Sequence, residues 1–183
     1  MDMVFAAITV TSCIAVAMIV VWSANHPQRS VWPPLEFGWP ARIVTWTVTV
    51  VAIGAAYLAG RESWNAWDWP VWIRWYLGFP LAFVASSASS FAIMKLGLDQ
   101  SMGADRGLVT DGVFARTRNP TYIANLALCL GWTLLAASWP AAVAAGALAA
   151  LYVFAVPYEE KWLARTYGGA YEAYRARVKR WAL

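Results

Sequence analysis

Charge is scarce in this chain. Only 13% of its 183 residues are Asp, Glu, Lys or Arg, against about 25% in an ordinary soluble domain. Histidine occurs once, at His26, and cysteine twice, at Cys13 and Cys129, each inside an apolar run. That set supplies neither a disulfide framework nor the ligands of a zinc site, so no metal is expected and the cysteines read as small core residues. A Ser/His/Asp arrangement lacks a plausible histidine, and without evident strands no Gly-rich phosphate loop can follow one. No basic patch interleaves with aromatics in a soluble domain, which makes nucleic acid a poor partner.

What is abundant is hydrocarbon. The chain is 61% hydrophobic and carries thirteen tryptophans, residues that favour the membrane–water boundary. The expectation is an all-α, integral membrane protein in which residues 1–183 form one domain, with the lipid bilayer as its first partner. Apolar runs of about 20 residues mark spanning helices, and five are read here: Met3–Trp22, Ala41–Gly60, Val71–Leu96, Thr121–Ala137 and Trp139–Val156. The first run lacks a basic leader and is long for a signal peptide, so it is read as a retained helix. The last two are short and joined by Ser138-Trp139-Pro140, which makes them a helical hairpin over 121–156.

Basic residues set the expected orientation. Five spans place twelve Lys and Arg on one side, including Lys95, Arg106, Arg116, Arg118 and the six bases after Glu160, and leave only Arg61 and Arg74 on the other. The N-terminus is therefore expected outside and the C-terminus in the cytoplasm. Beyond Glu160, aromatic and aliphatic residues from Trp162 to Trp181 recur at three- and four-residue steps with charges between them. This predicts a cytoplasmic amphipathic tail helix over 160–181, interrupted near Gly168-Gly169, serving either as an interfacial anchor or as a lid over a pocket.

Two polar clusters flank the hairpin. In the first, Asn119 is a good N-cap and Pro120 suits the first helical position, so a positive helix end faces the cytoplasmic boundary beside Arg118. Such an end binds carboxylates and phosphates. In the second, Pro157 precedes Glu159 and Glu160 and is expected to bend the helix. Carboxylates this near hydrocarbon are costly unless paired or functional. Adjacent helical residues point about 100° apart, so one carboxylate is free to meet a ligand cation while the other pairs with Arg118. A plain interfacial salt bridge is the simpler reading. Together the clusters suit a zwitterionic amino-acid moiety.

The run from Leu108 to Tyr122, containing Gly112 and Arg118-Asn119-Pro120-Thr121-Tyr122, then Glu159-Glu160-Lys161-Trp162-Leu163 and Tyr167-Gly168-Gly169-Ala170-Tyr171-Glu172-Ala173-Tyr174, resembles the isoprenylcysteine carboxyl methyltransferase family. Membrane phospholipid N-methyltransferases are wider relatives of that family. The resemblance covers roughly residues 95–181. It implies that residues 97–183 form a cytoplasm-facing S-adenosylmethionine site following three N-terminal spans within 1–96, with S-adenosylhomocysteine as product. The cofactor-binding residues it implies are Leu108, Val109, Gly112, Arg118, Asn119, Pro120, Tyr122, Glu159 and Glu160, of which Arg118, Glu159 and Glu160 are the catalytic candidates.

A hydrophobic or amphiphilic methyl acceptor would enter laterally from the membrane: an isoprenylcysteine-like carboxylate, a lipid amine or a small thiol. One departure is that Asn119 stands where the best-known members have histidine, and asparagine cannot titrate near neutral pH. Two alternatives remain. One is an NADPH-dependent membrane reductase related to sterol reductases, with Arg175, Arg177, Lys179 and Arg180 near a 2′-phosphate. The other is a non-enzymatic membrane subunit whose Arg/Glu contacts only brace the bundle.

Overall fold

The computed structural model describes residues 3–32, 39–101 and 107–181, and all regular structure among them is helical. Helix α1 spans Val4–Asn25 and α2 spans Trp39–Glu62. A π-helical segment, Ile73–Gly78, runs into α3, Phe79–Leu96. The short α4, Leu98–Ser101, is followed by α5, Pro120–Ala136, then α6, Trp139–Tyr167, and α7, Gly169–Arg177. Arg106, one of the bases counted above, lies outside the described residues.

Four of these helices are long and apolar enough to cross a membrane: Val4–Asn25, Ile43–Glu62, Ile73–Leu96 and Trp139–Tyr167. The remaining expected span, Thr121–Ala137, corresponds to α5, which has 17 residues. At about 1.5 Å per residue it reaches roughly 26 Å, a little under the hydrocarbon thickness.

The hairpin forms as its sequence predicts. Ala137 takes the left-handed conformation (φ 48°) that ends α5, and Ser138 starts α6 by accepting a hydrogen bond from the Ala141 amide at 3.4 Å. Two expectations need correction. Helix α6 does not stop at Val156 but continues through Pro157 to Tyr167. Pro157 removes one backbone donor, yet the helix continues and brings Glu160 to Arg118 and Arg180. Residues 160–167 are therefore the end of α6 and not the start of a separate tail helix. The break itself falls where the glycines predict, at Gly168 (φ 50°). Beyond it, α7 folds back, burying Tyr171, Tyr174 and Val178 against Leu108, Leu163, Ala164 and Tyr167.

Helix α1 packs on α2 and α6, α3 packs on α5, and α5 packs on α6, while α2 and α3 scarcely touch. The main core, from Ala6 and Cys13 through Ala59 to Ala144 and Leu148, is built largely of small residues, as expected where helices associate without a hydrophobic drive between them. Both cysteines are free and buried there. The tightest crossing is α3 on α5: a Cβ at Gly131 would lie 2.5 Å from the Ala82 nitrogen, and one at Gly78 would lie 2.6 Å from the Leu135 nitrogen. Gly131→Ala is expected to force the helices apart at a cost of about 1–3 kcal/mol. Thermal unfolding in detergent measures this, and an unchanged midpoint would contradict so close a crossing.

At the end of the bundle opposite the two polar clusters, a tryptophan-rich connection caps α5. The Asn65 and Trp67 amides donate to the carbonyls of Ala136 and Ala137 at 2.7 and 3.0 Å. Arg74, stacked on Trp64, donates through Nε to the Leu135 carbonyl at 3.0 Å. These donors satisfy carbonyls that a helix C-terminus leaves without partners, and the guanidinium complements its negative dipole end.

Candidate functional site

Because α5 and α6 are antiparallel, the start of one and the end of the other lie together. Glu159 and Glu160 thus stand beside Arg118, Asn119 and Tyr122, and the two carboxylates have different surroundings.

Glu160 is the hub of an ion-pair network. Its Oε1 accepts from Arg118 Nε at 3.2 Å and lies 3.0 Å from Arg118 Nη2. Its Oε2 accepts from Arg180 Nη2 at 2.6 Å and Nε at 3.1 Å. The side chains of Arg118 and Glu160 are only 9% and 8% exposed, against 43% for Arg180, so the Arg118 pair carries most of the weight. Arg118 Nη1 donates to the carbonyls of Arg175 and Val178 at 3.1 and 3.2 Å. Arg118 thereby caps the C-terminus of α7, and few of its N–H groups remain for a ligand.

Further bonds tie the tail to the same turn. The Arg118 amide donates to the Lys179 carbonyl at 3.1 Å, and Thr117 Oγ1 donates to the Arg180 carbonyl at 2.9 Å. Tyr174 donates its hydroxyl to the Phe114 carbonyl at 2.7 Å. Burial pushes the phenols of Tyr171 and Tyr174 up to about 12, so both stay protonated donors at physiological pH. The Tyr171 hydroxyl is buried without a partner among the described residues. Arg175 pairs with Glu172, so two of the four tail bases considered for a 2′-phosphate, Arg175 and Arg180, already hold carboxylates.

Asn119 occupies the N-cap position, but its side chain does not cap. Its Nδ2 turns instead to Glu160 Oε1 at 3.4 Å and the Arg180 carbonyl at 3.3 Å. The expected capping bond is therefore absent, because the buried carboxylate and the tail carbonyl compete for the amide. As a result the first-turn amides of Thr121 and Tyr122 have no acceptor among the described residues.

Glu159 differs. It accepts a 2.6 Å hydrogen bond from Tyr122 at Oε2 and has no cationic partner among the described residues. It lines a cavity of about 600 Å³ with Leu108, Val109, Arg118, Asn119, Pro120 and Tyr122. Gly112 and Glu160 are not on its wall. Gly112 serves the backbone, adopting φ 60° at the start of a 3-10 turn, Gly112–Ala115, that presents Phe114. Sequence reasoning did not find Asn125, Tyr152 and Trp132, which also line the cavity. The available signal was the spacing of Tyr122, Asn125 and Trp132 along one face of α5. Tyr122→Phe removes the only hydrogen bond to the Glu159 carboxylate among the described residues and is expected to weaken any ligand held by that carboxylate about three- to tenfold, a net loss of about 1 kcal/mol. Equal ligand affinity in the variant and the native chain would refute this.

A bundle of apolar helices with a carboxylate and the start of α5 on one cavity wall defines a membrane protein with a candidate small-molecule site. The family model for phospholipid methyltransferases matches residues 73–170, from the π segment to the first turn of α7, and the chain belongs to that family of membrane methyltransferases. No curated protein and no solved structure matches the chain.

Proposed function

We propose that the protein transfers a methyl group from S-adenosylmethionine to a hydrophobic or amphiphilic acceptor at the cytoplasmic membrane face. The observation that carries this reading is Glu159, a carboxylate on a cavity wall with one oxygen held by Tyr122 and no cation to neutralise it among the described residues. A buried carboxylate of this kind calls for a cationic ligand.

The donor set fits the cofactor. Glu159 would hold its ammonium, the amides of Thr121 and Tyr122 its carboxylate, and the rings of Phe114, Trp162 and Tyr174 on the cavity wall offer faces to its adenine. When bound, the cofactor supplies a methyl carried on a sulfonium. Arg118 and Glu160 act as positioning residues that hold the tail against the start of α5. Asn119, tied to Glu160 and Arg180, has no titratable proton to give, so what the chain contributes is placement of the reactants and exclusion of water. Placing the basic end of the bundle in the cytoplasm follows the charge rule, with only Arg61 and Arg74 at the other end among the described residues. The gap between α2 and α3, flanked by cavity-lining Ile53 and Ile93, supports lateral entry of the acceptor from the bilayer.

The test is calorimetric titration of S-adenosylhomocysteine and NADPH into the protein in lipid nanodiscs, followed by transfer of radiolabelled methyl in membrane extracts separated into lipid, protein and volatile fractions. Binding of S-adenosylhomocysteine alone, with label entering one fraction, is expected. Binding of NADPH alone, or of neither, would overturn the proposal.

A further inference from the structure

The cavity is deeper than an amino-acid moiety needs. Its wall descends α5 through Tyr122, Asn125, Leu128 and Trp132, ten helical steps from first to last and so about 15 Å at about 1.5 Å per residue. Polar groups cluster at the upper end. Below that end the Ser89 hydroxyl donates to Asn125 Oδ1 at 2.8 Å. Below them the lining turns apolar, with Ile53, Ala56, Leu128 and Leu148. The lowest lining residues on α2 and α5 are Tyr57 and Trp132.

The Trp132 indole is clamped. Its N–H donates to the Ala56 carbonyl at 3.1 Å, and its ring stacks on Tyr57 at 5.3 Å between centroids. Trp64 lies against it at 6.2 Å. Behind it is Gly60, where a Cβ would come within 2.6 Å of the ring. The glycine lets the indole sit back.

We propose that Trp132 is the floor of a channel for the acceptor's hydrocarbon chain and sets the chain length accepted, an inference that rests on the methyl-transfer reading above. A depth of about 15 Å, at about 1.3 Å per carbon projected from C–C bonds of about 1.5 Å, takes roughly a dozen carbons. Two substitutions should act in opposite directions. Trp132→Ala removes the floor and deepens the channel. Gly60→Ala places a methyl behind the indole, drives the ring toward the cavity and shortens the channel. A tryptophan serving only as core packing predicts loss of stability from both changes and no change in chain preference.

The experiment measures the thermal stabilisation of the nanodisc-embedded protein by single-chain lyso-phosphatidylethanolamines of about 8 to 18 carbons, a range that brackets the estimated length. Stabilisation of the native chain should rise with length and then level off. The levelling point should move up by roughly two to four carbons in Trp132→Ala, less far in Trp132→Phe, and down by about two in Gly60→Ala. Trp132→Phe keeps a ring against Tyr57 and so provides the answer if the alanine variant does not fold. A levelling point shared by all foldable variants, a shift of the same sign in Trp132→Phe and Gly60→Ala, or no length dependence in the native chain would each overturn the proposal. S-adenosylhomocysteine is titrated on the same samples. If it fails to stabilise while the levelling point still moves, the methyl-transfer reading falls and the channel floor stands.

Discussion

Glu159→Gln should bind S-adenosylhomocysteine about ten- to a hundredfold more weakly than the native chain while folding at least as well. A hydrogen bond to a charged group contributes about 1.5–3 kcal/mol, and 1.4 kcal/mol is a factor of ten in affinity. Glutamine keeps the shape of the side chain and an oxygen to accept from Tyr122, so the change isolates the charge. Stability should not fall, because the native carboxylate has no cation to lose among the described residues and lies on an otherwise largely apolar cavity wall. Removing a charge in that position relieves a desolvation cost. Calorimetric titration and a thermal melt on the same preparation give the two numbers. Unchanged affinity would remove Glu159 from the site.

Glu160→Gln should do the reverse of what its neighbour does to stability. It strips the counter-charge from Arg118, whose side chain is 9% exposed. Breaking a buried pair by removing one partner costs about 3–5 kcal/mol, because the remaining charge is left uncompensated. The tail should loosen with it, since Arg118 also caps α7 through the Arg175 and Val178 carbonyls. Faster proteolysis between Gly168 and Trp181 and a lowered melting midpoint are the expected results. Arg180→Ala removes the more exposed partner of the same carboxylate, 43% exposed, and should cost no more than about 1 kcal/mol. Equal effects from Glu160→Gln and Arg180→Ala would show that the network is not centred on the Arg118 pair.

The contrast between the two glutamates marks the limit of what residue order reveals. That one carboxylate would pair and the other stay free follows from their roughly 100° separation on a helix. Which is which depends on what lies opposite each, and those partners come from residues 118, 122 and 180. Asn119 teaches the same lesson. Its position before Pro120 correctly marks the start of α5, yet its side chain answers to Glu160 and the Arg180 carbonyl, 41 and 61 residues away in the chain. Local preference for capping was overridden by a buried carboxylate that needed donors.

Composition and pattern alone determined the membrane class, the all-helical architecture, the α5–α6 hairpin with both polar clusters at one end, and the break at Gly168. These follow from hydropathy, from hairpin geometry and from backbone preferences, all of which act over a few residues or over whole segments. Only the tertiary structure decided that α6 runs past Pro157, that Arg118 is spent on Glu160 and the α7 carbonyls, and that Gly60 makes room for Trp132. Each of these is a contact between side chains or backbone distant in sequence. Its energy depends on the direction in which a side chain points, which neighbouring residues cannot specify.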